Sequence, residues 1–175
     1  DSEGIIGLVT FQNGIKNTFE GEFKQMSQAI IDQFPEGPLC IGLHNATTGN
    51  LGKDLLRFSN EREKNERSVY SLCQMIKTFA DHLPKINPNL VWAHFAHSEG
   101  GLIANVALAL CGESWLKETR EYIKDRLITA TYGAVKPIPE EPVLTALNTY
   151  SNKDVVLLLS KQYIDKDLDK ITQMP

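Results

Sequence analysis

Short apolar runs alternate with helical patterns along this chain, and that alternation restricts the fold more than any other feature. Ile5 to Phe11, Leu39 to His44, Leu90 to His97, Leu127 to Ala134 and Val143 to Tyr150 read as strands. Phe19 to Phe34 has helical periodicity and stops at Pro35. Val69, Leu72, Met75, Ile76 and Phe79 form one apolar helical face, which Pro84 and Pro88 are expected to end. Gly100 to Cys111 and Ser114 to Arg126 read as two more helices; from Lys153 the pattern first suits either state, with Val155 to Leu159 fitting strand or helix, and then turns helical through Lys170. Strands separated by helices predict an α/β fold, a mostly parallel sheet with helices on both faces. In such sheets ligands sit beyond the carboxyl ends of the strands. Polar residues gather at those ends: Asn13-Gly14, His44-Asn45, Ser98-Glu99, and Ser151 to Asp154.

The 175 residues suit one domain, 1–175, with a substantial single core. A net charge of −4 without a Lys/Arg cluster argues against nucleic acid as the main partner. No apolar run approaches the roughly 20 residues needed to span a bilayer. The chain opens on Asp1 rather than Met, so a processed product or an excised piece is expected, with any targeting segment removed. Cys40, Cys73 and Cys111 form no metal-ligand or CxxC spacing, so neither a metal nor another cofactor is expected. Their odd number and apolar neighbours predict reduced, buried thiols, as in a cytoplasmic protein. Asn45-Ala46-Thr47 matches a glycosylation acceptor by pattern alone.

Chemistry concentrates in Val91 to Asn105. There an apolar strand ends in Ala96-His97-Ser98-Glu99-Gly100 and passes directly into Ala/Leu/Ile-rich helical sequence. This reads as a nucleophile elbow, in which a sharp strand-to-helix turn lifts one serine to the top of a sheet. The serine's strained backbone requires small residues two before and two after it, so that they do not collide with each other. Ala96 and Gly100 meet that requirement, and Gly101 lets the helix pack closely on the sheet. The same pattern also suits an ordinary strand-turn-helix junction, since Ser and Gly are common turn residues.

A serine nucleophile needs an oxyanion hole, a base and an acid. The Glu99 N–H would supply one oxyanion donor, and the Asn13-Gly14 loop a second. Asp154 follows the fifth strand and suits the acid, although it would also serve as a turn residue. The usual order places a histidine after the acid, and this chain has none there. Of the four histidines, His82 falls at a helix end, His94 inside a strand as a satisfied core residue, and His97 beside the serine in a structural role. His44, at a strand end on the correct side, is the best substitute base. Two simpler accounts stand beside it: a segment bearing the base lies beyond Pro175, or the site is not catalytic. The Gly52-Lys53 pair is no phosphate loop, because Thr47 replaces its first Gly and Asp54 its Ser/Thr.

Three blocks, Thr10 to Glu20, Ile41 to Gly49 and Ala96 to Gly100, resemble a family of uncharacterised chlamydial proteins. That family carries N-G-x-x-N-[ST], Y-N-A-T-x-G and H-S-[QE]-G in this order, and the likeness extends to Tyr150-Ser151 and Asp154. His44 stands where the family pattern has Tyr. The resemblance implies an α/β-hydrolase-like core, with Asn13 and Gly14 in the oxyanion loop, Ser98 as nucleophile and Asp154 as acid. The family supplies no activity to carry over; the elbow at Ser98 is what makes a serine hydrolase acting on a small-molecule ester or thioester the expected function. The alternative is an inactive hydrolase-like domain that binds a protein partner.

Overall fold

The structure is a computed structural model that describes residues 5–13, 19–33, 37–43, 66–114, 117–134, 137–151 and 172–174. Its sheet has six strands, all parallel, in the order β2-β1-β3-β4-β5-β6. They are β1 (Ile5–Gln12), β2 (Leu39–Leu43), β3 (Leu90–His97), β4 (Leu127–Tyr132), β5 (Thr145–Ser151) and β6 (Thr172–Met174). Among the described residues four helices accompany them: α1 (Phe19–Gln33), α2 (Glu66–Ile86), α3 (Glu99–Ser114) and α4 (Lys117–Arg126). The chain leaves β1 toward β2 on one side and returns to β3 on the other. The β1–β3 boundary is therefore the topological switch point, where open α/β sheets bind ligands.

Alternation along the strands sorts the core into two faces. Leu8, Trp92, Ala96 and Leu127 are buried together with Leu72 and Ile76 of α2, Ile103, Ala107 and Leu108 of α3, and Ile123 of α4. Trp92, fully buried, meets Phe79 edge-on at 5.3 Å. On the opposite face, Phe23, Met26 and Ile30 of α1 line a small apolar space with Val9, Phe11 and Cys40. Helices thus cover both faces, as the sequence predicted.

The connection from β4 to β5 contains no described helix. Asn148 clamps it instead: its Oδ1 accepts the Ile138 N–H at 2.9 Å and the Thr131 hydroxyl at 2.8 Å, while its Nδ2 donates to the Ile138 carbonyl at 2.9 Å. Asn105 of α3 donates to the Pro137 carbonyl at 2.6 Å. These bonds satisfy backbone groups that a buried non-helical segment would otherwise leave unpaired.

Several boundaries differ from the sequence reading. Pro84 lies inside α2, which continues to Ile86. It removes one i→i−4 bond near the helix end, and the Asn87 N–H still reaches the Leu83 carbonyl at 3.0 Å. Helix α3 runs to Ser114, α4 begins at Lys117, and β5 begins at Thr145 rather than Val143. β6 was not expected, and the helix anticipated between 153 and 170 lies outside the described residues. The thiol expectation needs the largest correction. Cys40 is free, but Cys73 is disulfide-bonded. Its sulfur lies 3.5 Å from the Ala107 carbonyl of α3, where α2 and α3 pack together. Apolar neighbours suit a buried disulfide as well as a buried thiol, so the sequence pattern could not tell them apart.

Candidate functional site

The site begins where β3 stops pairing. The register with β4 ends at His97 opposite Tyr132, and the Ser98 N–H makes one more bond, to the Tyr132 carbonyl at 2.9 Å. Ser98 then has φ 52°, a left-handed conformation that costs an L-residue roughly 1–2 kcal/mol. The Gly101 N–H bonds back to the Ser98 carbonyl at 3.0 Å, and helix α3 begins. Ser98 is thus fixed on both sides at the carboxyl edge, 8% exposed. The first turn of α3 points its N–H ends toward this edge and favours negative charge there.

The two glycines have separate tasks. A Cβ on Gly100 would stand 2.8 Å from the Gln12 carbonyl oxygen and 3.0 Å from that of Asn13. The β1 terminus, lying against it, requires Gly100 to be small. A Cβ on Gly101 would lie 2.5 Å from the Ala134 Cβ, so that glycine seats α3 on the segment after β4. Together they press the start of α3 into the switch point.

Asn13 follows β1 and is buried beside Gly100, so the structure brings it together with Ser98 and Glu99. The Glu99 side chain is itself fully buried. Gly14, His44 and Asp154 lie outside the described residues. Gln12, also buried, leaves its Oε1 without a hydrogen-bond partner.

The described histidines have separate environments. His82 is exposed, with Nδ1 2.8 Å from the Thr78 carbonyl of its own helix. His97 packs its ring on Tyr132, with centroids 5.8 Å apart. His94 is buried, and its Nδ1 lies 2.8 Å from the Thr10 hydroxyl, which accepts the Trp92 Nε1–H at 2.6 Å. The Thr10 hydroxyl can give its own proton to His94 Nδ1 or accept one from it, according to the imidazole tautomer. In either tautomer His94 Nε2 has no partner, so His94 is half satisfied rather than fully satisfied as expected. Burial pushes its pKa down to about 4, and it stays neutral at pH 7. The sequence reading missed this Thr10-His94-Trp92 group, whose only signal is a Thr and a His inside apolar strands.

Among the described residues, no three His, Cys, Asp or Glu side chains gather in a metal-binding arrangement. No described helix is long and apolar enough to cross a membrane.

The arrangement is a parallel α/β fold with a left-handed serine between a central strand and its helix. No family model and no curated protein matches the chain. Among solved structures, an acetylxylan esterase is similar at 13% identity and TM-score 0.42, over 75% of this chain and 63% of that one. The chain thus spans less than two thirds of that esterase. A cutinase-like protein from Cryptococcus sp. is similar at 12% identity and TM-score 0.47, over 96% of this chain and 74% of its own. A dienelactone hydrolase from Anabaena variabilis has 14% identity and TM-score 0.45, over 97% and 72%. Likenesses this distant transfer no chemistry, and the fold assignment rests on strand order and the turn at Ser98.

Proposed function

We propose that the chain is a serine hydrolase of the α/β type acting on an ester or thioester. The observation that carries this reading is the φ of 52° at Ser98, held between a β4 carbonyl and the first turn of α3. Backbone strain at one non-glycine residue, at the sheet's ligand-binding edge, is characteristic of functional positions. In this reading Ser98 Oγ attacks the substrate carbonyl and gives its proton to a base. The Glu99 N–H and an N–H of the Asn13-Gly14 loop hold the oxyanion, each donor contributing about 10²–10³-fold in rate. Collapse of the tetrahedral adduct expels the alcohol or thiol, which takes the proton from the base. Water then cleaves the acyl-serine by the same steps. His44, which follows β2 in sequence, is the candidate base; four strand spacings, about 19 Å, separate the ends of β2 and β5, so Asp154, the candidate acid after β5, would serve a base other than His44.

A second reading, an inactive hydrolase-like domain that binds a partner, is favoured by the described histidines. His82, His94 and His97 bond or stack elsewhere. Fluorophosphonate labelling separates the two. Covalent labelling of the native chain that disappears in Ser98→Ala is expected. A folded native chain that takes up no label would favour the binding domain.

A further inference from the structure

The chain that leaves β4 is tied to the start of α3 at three successive places. The Tyr132 carbonyl accepts the Ser98 N–H at 2.9 Å. Gly133, at φ 59°, then bends the chain, its own N–H held by the Thr149 carbonyl at 2.8 Å. Ala134 lands on Gly101, closely enough that a Cβ on that glycine would lie 2.5 Å from the alanine's own. Asn105 makes the third tie, a 2.6 Å bond from its Nδ2 to the Pro137 carbonyl. Gly101 and Asn105 are four residues apart, so Ala134 and Pro137 meet one side of the helix a turn apart. The next residue is fixed from the sheet: Asn148 of β5 holds both the N–H and the carbonyl of Ile138 at 2.9 Å.

Asn105 stands out from its neighbours. It is the one polar side chain between Gly100 and Leu110, in a helix otherwise built there of Ala, Leu, Ile and Val, and it is only 6% exposed. An amide in such surroundings costs free energy unless it is hydrogen-bonded, and Ala or Leu would serve helix formation better. The bond to Pro137 supplies what apolar packing does not. Apolar contacts are non-directional and resist a small slide or turn of a helix weakly, whereas a hydrogen bond weakens steeply with misalignment. Asn105 thereby fixes α3 against the segment that begins at Tyr132, the residue whose carbonyl holds Ser98. Pro137 and Ile138 are adjacent, so Asn105 from α3 and Asn148 from β5 grip one piece of backbone. The start of α3 is in this way tied to β5, the strand that precedes Asp154 in sequence. We infer that Asn105 is a positioning residue for Ser98, setting where the first turn of α3 and its Glu99 N–H stand against β4. This rests on the reading of Ser98 as the reacting residue.

The test reads position and chemistry separately. Amide hydrogen exchange by NMR follows Ser98 and Gly101, whose N–H groups bond to the Tyr132 and Ser98 carbonyls, with the β3 amides as reference. Fluorophosphonate labelling is timed in parallel. Asn105→Ala removes the donor, and Asn105→Asp keeps one only while its carboxyl is protonated. Leu72→Ala, a core truncation on α2, is the control for general loosening. In Asn105→Ala the protection of Ser98 and Gly101 should fall about tenfold more than that of β3, and labelling should slow about tenfold. Leu72→Ala should lower protection at all these amides alike. In Asn105→Asp both deficits, taken as ratios to the native chain at each pH, should shrink on acidification, because the protonated carboxyl can donate to Pro137. Equal loss at all amides in Asn105→Ala, or selective loss at Ser98 and Gly101 in Leu72→Ala as well, would overturn the inference. So would a deficit in Asn105→Asp that persists unchanged at low pH, or unaltered labelling of Asn105→Ala beside a native chain that labels. Selective loss of Ser98 protection in a protein whose native chain takes no label leaves the positioning claim and removes the nucleophile. If Asn105→Ala does not fold, the pH response of Asn105→Asp decides.

Discussion

Acidification should weaken this fold through one residue, His94. It is buried between Thr10 and Trp92, with its pKa lowered to about 4 by desolvation from an ordinary 6.5. The folded state therefore holds it neutral, while the unfolded chain takes up a proton below pH 6.5. Its contribution is intact above about pH 6.5, falls as pH drops, and stops falling near pH 4, where the folded state also protonates. The full loss is about 3 kcal/mol, since each pH unit separating the folded and unfolded pKa values corresponds to about 1.4 kcal/mol. At pH 5 about 2 kcal/mol of it is already gone. Urea unfolding of the native chain and of His94→Asn at pH 7, 6, 5 and 4.5 isolates the effect, because titrating carboxylates are common to both. The native chain should lose more stability than the variant by about 2 kcal/mol between pH 7 and 5. A stability difference between the two that stays constant over this range would refute the reasoning.

Three other perturbations follow from the packing. Gly100→Ala puts a methyl against two backbone carbonyls at 2.8 and 3.0 Å, so α3 must shift; a loss of about 1–3 kcal/mol in urea and loss of fluorophosphonate labelling are expected. Asn148→Ala deletes three hydrogen bonds and strands the Ile138 N–H and C=O, which should cost about 2–4 kcal/mol in thermal unfolding, with Asn148→Asp only partly restoring it. Cys73→Ser should cost about 2–5 kcal/mol, and thiol titration of the unfolded native chain should rise from one to three per chain on reduction.

How much could be read in advance differs from place to place. The strand-helix alternation and the Ala96-to-Gly101 pattern were legible because periodicity and residue size are local properties. Pro84 was misread because its cost depends on how near the helix end lies, and tertiary packing of the helix set that end at Ile86. Asn148 carried no visible signal, since an Asn near a strand end looks like a turn residue until Ile138 is folded against it. Gly100 was assigned as a small residue from the local pattern, but the β1 carbonyls that also require it are more than 80 positions away in sequence.

The sequence by itself determined a parallel α/β sheet and the serine at its crest. A strand's apolar run, a helix's period and a glycine's freedom are written within a few residues of one another. Only the tertiary structure decided that Cys73 is bridged, that His94 is neutral and half satisfied, and that Tyr132 stands open beside Ser98. Each of those depends on desolvation or contact between segments far apart along the chain, which no local pattern records.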